Sequence, residues 1–300
     1  MNKINISNIQ LYKTINAHSQ IVTAFLLLQD KRFASSSSDS TIKIFDPTSF
    51  SIDLNILGHQ SPVFYLSQLD NGILVSSSED RSAHLWYVTK STYKCLHVIT
   101  EQNFGQVFQM IPISDNRMAS FADDNIIKIW RSEAPYELIK MMKEDKRDIN
   151  QIYYFKKRDY LFSGAFVSFS IGLWNLKTYQ CDTVFEDVQC FFNNSIMEID
   201  ERRIAIFSIQ AIYIIDTIHF TIEHISIKNE ISSLLTFAIL RNGDLLFGCE
   251  NGNMFIYDKD TKEIGNCSRD YKSKIVSLLS IDDHTIVSAF DDYAIRVWKY

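Results

Sequence analysis

The sequence predicts an all-β fold built from seven like units, each a small antiparallel sheet. Three observations carry that prediction. An alternating apolar stretch ending in an aromatic residue returns at a nearly constant interval. A polar turn precedes each return by about fifteen residues. Between turn and aromatic, four of the units place an Asp four residues after a Ser.

The recurring stretches are Ile42-Lys43-Ile44-Phe45-Asp46, His84-Leu85-Trp86, Ile127-Lys128-Ile129-Trp130, Gly172-Leu173-Trp174, Tyr213-Ile214-Ile215-Asp216, Met254-Phe255-Ile256-Tyr257-Asp258 and Ile295-Arg296-Val297-Trp298. Their key positions, 45, 86, 130, 174, 215, 257 and 298, are separated by 41, 44, 44, 41, 42 and 41 residues. Period-two alternation puts every second side chain on one face, which is a strand pattern. A repeat of this length is one supersecondary unit that buries its apolar face against its neighbours.

The turns are Gln29-Asp30-Lys31, Asp70-Asn71-Gly72, Asp115-Asn116-Arg117, Lys157-Arg158-Asp159, Asp200-Glu201-Arg202, Asn242-Gly243-Asp244 and Asp282-Asp283-His284. Asn-Gly and related pairs accept the positive φ angles of tight hairpins. Two periodic signals in phase over seven cycles fix the register of the repeat.

The Ser-to-Asp signature joins Ser35 to Asp39, Ser76 to Asp80, Ser120 to Asp124 and Ser288 to Asp292. In each case the Asp lies six residues before the key aromatic, Phe45, Trp86, Trp130 or Trp298. The cycles resemble WD repeats over essentially the whole chain. The resemblance implies a seven-bladed β-propeller of four-stranded antiparallel blades, one domain spanning residues 1–300. It also implies a hydrogen-bonded network of His, Ser, Asp and Trp within each blade. The second repeat has all four members, His59, Ser76, Asp80 and Trp86. The first has His18, Ser35 and Asp39 with Phe45 in place of Trp. The third (Ser120, Asp124, Trp130) and the seventh (Ser288, Asp292, Trp298) lack the His. The fourth keeps Ser163 and Trp174 with an extra residue between them, and the fifth and sixth have lost most of the pattern.

The chain stops two residues after Trp298, so the seventh repeat lacks a fourth strand. Residues 9–15, Ile9 to Ile15, parallel the fourth strand of the first repeat around Ile52 to Ile56. The resemblance implies that this N-terminal strand pairs with the last blade. That arrangement leaves only short outer edges.

Composition bounds the function. Of the 300 residues 46% are hydrophobic, with 21 Phe and 14 Tyr suited to pleated surfaces. A net charge of −6 disfavours a nucleic-acid binder, which needs a basic surface. The five cysteines form no CxxC pair, so neither a zinc framework nor a disulfide scaffold is indicated. No apolar run is long enough to insert in a membrane, and the N-terminal stretch has no signal-peptide core. These features lead us to expect an intracellular protein, cytoplasmic rather than nuclear.

No catalytic constellation emerges. The nine glycines form no dinucleotide or phosphate loop, and no nucleophile elbow occurs. His219 and His224 lie five apart without further ligands, and His84 is expected on the surface. The expectation is therefore no catalytic residue, no cofactor and no metal. Phe166, Val167 and Phe169 stand where related units have a short polar turn, and exposed apolar clusters mark interaction sites. Arg81 follows Asp80 in the corresponding loop. By resemblance, the chain is expected to be a monomeric, non-catalytic scaffold or adaptor binding other proteins through its loops. One alternative is a substrate receptor of a ubiquitin ligase reading acidic or phosphorylated peptides. Another is an enzyme with a site in the propeller channel, for which no converging set of titratable residues is evident.

Overall fold

The seven sequence units are seven four-stranded antiparallel sheets, the fold class being the seven-bladed β-propeller. The computed structural model describes residues 9–100, 105–143, 149–165, 169–188, 196–207, 211–226, 234–258, 264–266 and 273–300. Phe166 and Val167 lie outside the described residues, as do residues 144–148 and 267–272.

The chain opens with β1 (Gln10–Ile15). Blade one is β2 (Val22–Leu27), β3 (Phe33–Ser37), β4 (Ile42–Phe45) and β5 (Ile52–Ile56). Blade two is β6 (Val63–Gln68), β7 (Leu74–Ser78), β8 (Ser82–Val88) and β9 (Tyr93–Thr100). Blade three is β10 (Val107–Ile113), β11 (Arg117–Ala122), β12 (Ile126–Arg131) and β13 (Leu138–Lys143). Blade four is β14 (Ile149–Phe155), β15 (Tyr160–Ala165), β16 (Ser170–Asn175) and β17 (Gln180–Phe185). Blade five is β18 (Ile196–Glu198), β19 (Arg203–Phe207), β20 (Ala211–Asp216) and β21 (Thr221–Ser226). Blade six is β22 (Leu234–Ile239), β23 (Leu245–Cys249), β24 (Met254–Tyr257) and β25 (Ile264–Asn266). Blade seven is β26 (Ile275–Asp282), β27 (Thr285–Phe290) and β28 (Ile295–Lys299), with β1 as its fourth strand.

The expected closure is present. β1 runs antiparallel to β28, pairing Leu11 with Trp298 and Ile15 with Ile295. The polar turns also take the expected conformations. Gly72 and Gly243 have φ of 85° and 88°, and Asp115 and Asn116 have φ of 57° and 52°. Two consecutive left-handed residues match the twist of a tight hairpin.

The residues group into two compact units, Met1–Val63 with Lys228–Tyr300, and Phe64–Ile227. In the first, Phe25, Phe33 and Phe45 of blade one pack with Val287, Ile295 and Val297 of blade seven. In the second, Leu161 and Trp174 of blade four pack against Phe121 and Ile129 of blade three. The core thus lies between facing blades. Each buried Leu, Ile or Phe contributes about 1.5–3 kcal/mol relative to exposure.

A bulge recurs beside the key aromatic. Phe45, Trp86, Trp130 and Trp174 each sit at a register shift against the fourth strand, which passes over Asp53, Leu96, Ile139 and Asp182 respectively. In blade seven the passed residue is Tyr12, between the Leu11–Trp298 and Lys13–Val297 pairs. Blade five has Ile215 at the key position and pairs there without a shift. An extra residue bends and twists the strand, which gives the large ring room.

Candidate functional site

The loops between second and third strands combine a fixed internal scaffold with variable side chains. In blade one, Asp39 Oδ1 accepts from Thr41 N at 3.0 Å and Thr41 Oγ1 at 2.6 Å, closing the turn. Its Oδ2 lies 2.9 Å from His18 Nδ1, whose Nε2 is 2.7 Å from Ser35 Oγ. Burial lowers the pKa of His18, against the opposing pull of the Asp39 carboxylate. Burial would raise Asp39, but hydrogen bonds from Thr41 and Ser19 and the neighbouring His18 hold it below the usual carboxylate range. The pair is therefore a neutral imidazole donating to a carboxylate. Phe45 has no N–H and instead stacks on Phe33 at 4.7 Å between centroids.

The tryptophan blades satisfy the buried serine from the other side. The indole Nε1 donates to Ser76, Ser120, Ser163 and Ser288 from Trp86, Trp130, Trp174 and Trp298 at 2.8, 2.8, 2.8 and 2.7 Å. In blades three and seven, where the histidine is missing, a cation two residues before the tryptophan takes its place. Asp124 Oδ1 accepts from Ile126 N at 3.0 Å while Oδ2 accepts from Lys128 Nζ at 2.7 Å. Asp292 Oδ1 accepts from Ala294 N at 3.1 Å, and both its oxygens accept from the Arg296 guanidinium at 3.0 and 2.5 Å. Partial desolvation would raise Asp292, but those bonds keep it below the carboxylate range. In blade two, Asp80 Oδ1 closes the turn through Ser82 N at 3.1 Å. There the ligand atoms of Asp80, His59 and His84 all lie within 4.8 Å of one another.

Outside blade five, whose loop lies beyond the described residues, the residue at the apex of the loop is left-handed. Ser40, Arg81, Asn125, Phe169 and Tyr293 have φ of 67°, 67°, 57°, 46° and 68°, and Gly252 of blade six has 80°. Ser40, Asn125, Gly252 and Tyr293 each donate a backbone bond to the residue three before. A side chain in this conformation costs about 1–2 kcal/mol, so the turn imposes it. One backbone geometry thus carries a different residue in each of these blades.

The comparisons with known proteins bear on the same residues. A model of the family described as "WD domain, G-beta repeat" matches residues 9–46 and 52–87, which hold β1 to β4 and most of β5 to β8. Those two stretches, β1 with blade one and most of blade two, match the WD-repeat pattern. Cell division control protein 4 of Saccharomyces cerevisiae is 27% identical over 105 residues, 31% of this chain and 14% of that protein. The ribosome biogenesis protein WDR12 homolog of Aedes aegypti is 28% identical over 138 residues, 42% of this chain and 31% of that protein. The matched region therefore spans less than a third of either relative.

The residues read from the sequence fall in distinct places. His18, Ser35, His59, Ser76, Ser120, Trp86, Trp130, Ser288 and Trp298 are buried, whereas Asp39, Asp80 and Asp124 are half-buried at the loops and Asp292 is exposed. Arg81 is exposed and Phe169 is 39% exposed. The Phe169 carbonyl accepts from Val188 N at 2.7 Å, which anchors the backbone beneath the ring. The expectation that His84 lies on the surface is corrected: it is buried, with its ring 5.2 Å from that of Trp86. Alternation in β8 turns His84 to the same face as Trp86, toward the blade interior. Sequence reading missed Lys128 and Arg296 as members of the network. Their spacing of four from Asp124 and Asp292 is the signal that would have found them. None of the described cysteines, Cys95, Cys181 and Cys249, is in a disulfide. Among the described residues no helix is long and apolar enough to cross a membrane.

Proposed function

We propose that the chain is a non-catalytic scaffold that binds other proteins through the loops between second and third strands. One observation carries this reading: a repeated left-handed turn holds Ser40, Arg81, Asn125, Phe169 and Tyr293 on one kind of backbone with chemically unlike side chains. Rigid backbone with variable side chains is the arrangement by which a scaffold acquires specificity. Phe169 and Tyr293, 39% and 44% exposed, are aromatic anchors of the type that dominates interface energies. Loss of the disulfide framework option and the two intracellular processes named for the relatives suit a reducing compartment.

A narrower reading is a substrate receptor for a ubiquitin ligase that recognises acidic or phosphorylated peptides. Exposed Arg81 at a loop apex favours it, because a guanidinium can pair both oxygens of a carboxylate or phosphate.

The test is affinity purification of tagged chain from its own cells, in parallel with an Arg81→Ala, Phe169→Ser and Tyr293→Ala triple variant of matched melting temperature. The reading expects proteins recovered with the parent and lost with the variant. Identical recoveries from both would move binding away from these loops. A partner lost with Arg81→Ala alone and restored by no unphosphorylated peptide would select the narrower reading.

A further inference from the structure

We propose that a cleft between the first hairpin turns of blades four and five binds a short acidic peptide segment of another protein. The cleft lies at the opposite strand ends from the loops between second and third strands. This goes beyond the scaffold reading and does not depend on it.

The cleft measures about 770 Å³ and is lined by Lys157, Arg158, Asp200, Glu201, Arg202 and Ile218. All of these belong to the compact unit Phe64–Ile227. Lys157 and Arg158 sit on the turn between β14 and β15, and Asp200, Glu201 and Arg202 on the turn between β18 and β19. Ile218 sits on the turn between β20 and β21. Ligand pockets commonly span about 300–1,000 Å³ and have mostly apolar walls. This cleft has the volume but a charged wall, which suits an extended polar segment rather than an apolar small molecule.

The walls are held before any ligand arrives. Lys156 N donates to Glu198 Oε1 at 3.3 Å, tying the blade-four turn to blade five. Thr217 N and Oγ1 both donate to the Arg202 carbonyl, at 2.8 and 2.7 Å, which joins the two blade-five turns. Asp216 Oδ1 accepts from Ile218 N at 2.9 Å and His219 N at 3.1 Å. These amide bonds, that of His219 foremost, hold the Asp216 carboxyl well below the usual carboxylate range.

The carboxylates at this end are committed to their own turns, and the cations are not. Asp200 Oδ1 accepts from the Arg202 and Arg203 amides at 2.9 Å each, and Oδ2 accepts from Arg203 Nε at 2.7 Å. Asp159 accepts from Ser114 Oγ at 2.6 Å and Tyr154 OH at 3.1 Å, and faces Arg117 at 3.5 Å. Arg158 lies over the Tyr160 ring instead, 5.8 Å from its centroid. Among the described residues neither Arg158 nor the exposed Lys157 forms an ion pair. Arg202 meets Asp216 at 3.4 Å, yet its side chain is 51% exposed and the guanidinium keeps further donors. Lys157, Arg158 and Arg202 thus outnumber the uncommitted Glu201, and that excess of positive charge selects an acidic ligand.

Beside these cations, Ile199, Ile218 and Phe220 are 42%, 50% and 46% exposed. Large apolar side chains on two joined turns mark an interaction surface. Cations next to an apolar ridge complement a peptide in which acidic residues flank an apolar one.

The probe is a display library of random peptides panned on the full chain, with an excess of the Lys157→Glu, Arg158→Glu double variant as soluble competitor. Retained peptides should carry two or more acidic residues next to an apolar one. Their affinity for the double variant, read by fluorescence anisotropy, should fall about tenfold or more. Lys157→Gln with Arg158→Gln, the milder change, should give a smaller loss in the same direction. Ile218→Ser alters an exposed turn position, so it should fold, and it should weaken the same peptides roughly fivefold. An Arg81→Ala, Phe169→Ser variant, changed at the other strand ends, should bind them as the parent does. Peptides lost with that variant instead would overturn the proposal. So would a library that yields no binder, binders without acidic residues, or equal binding by the parent and the double variant. Competition by oligouridine that needs the same cations but ignores Ile218→Ser would make the cleft a general polyanion patch, which also overturns it.

Discussion

Lys128 and Asp124 form in blade three the contact that His18 and Asp39 form in blade one. Nζ lies 2.7 Å from Oδ2, and the lysine side chain is only 2% exposed. The position is four residues along one strand-and-turn rather than a separate loop, so the blade no longer depends on a residue before its first strand. Replacing Lys128 by Met leaves the carboxylate half-buried without its cation, at a cost of about 3 kcal/mol. Adding Asp124→Asn to that variant should recover part of the loss. Urea unfolding of the two variants and the parent measures both effects.

Asp80→Ala should lower stability by about 1–3 kcal/mol, because the Ser82 amide and hydroxyl lose their shared acceptor. Ser76→Ala strands the Trp86 indole N–H, which donates at 2.8 Å. The two losses fall in one network and should combine to less than their sum. A double-mutant cycle by denaturant unfolding gives the coupling. A variant that keeps its stability while losing a binding activity would assign Asp80 to recognition instead.

Acid should weaken blade one. Burial holds the folded pKa of His18 below its ordinary 6.5, so the unfolded chain takes up that proton first. Stability from this residue is complete above pH 6.5 and falls as pH drops below it. Asp39 is held below its ordinary 3.8, so its contribution persists until still lower pH. Melting temperatures at pH 7.5, 6.5 and 5.5 should decline, and His18→Gln should flatten the decline between pH 6.5 and 5.5.

Removing residues 1–14 takes away most of β1 and uncovers the edge of β28. The expected outcome is aggregation or a fall in melting temperature of many degrees, seen by light scattering and calorimetry. Trp298, buried against Ile9 in the same cluster, should become more exposed in fluorescence.

Phe169→Ser should leave the melting temperature almost unchanged, since the ring is 39% exposed and its backbone is held from Val188. Partner binding should weaken by about 2 kcal/mol or more if the ring is an anchor. Calorimetry of the variant with any captured partner measures both.

The repeat, the hairpin turns and the terminal strand were legible because each depends on local pattern: alternation, turn residues and spacing. The serine and aspartate roles followed from a resemblance, and Phe45 and the tryptophans marked the blade interior. The side to which His84 turns was not legible, because its strand is buried on both faces and alternation gives no polar side to read. Lys128 and Arg296 were not singled out, since nothing in composition tells a paired cation from a solvated one. Only their spacing of four from Asp124 and Asp292 sets them apart in the sequence. The extra residue between Ser163 and Trp174 was legible as a longer loop, whereas the left-handed φ of Phe169 was not, because large aromatic residues seldom adopt it.

The pairing of β1 with β28 also sets a clock. Leu11 is made 287 residues before its partner Trp298. One compact unit is split in sequence, Met1–Val63 waiting for Lys228–Tyr300 while Phe64–Ile227 is made in between. At about 5–20 residues per second, that wait is on the order of ten to fifty seconds of translation. During it the first blade has neither its seventh-blade neighbour nor a mate for its leading strand, while the continuous Phe64–Ile227 segment can already pack. Nascent chains stalled near residue 230 should therefore expose β1 to protease or chaperone, and release of the full chain should protect it.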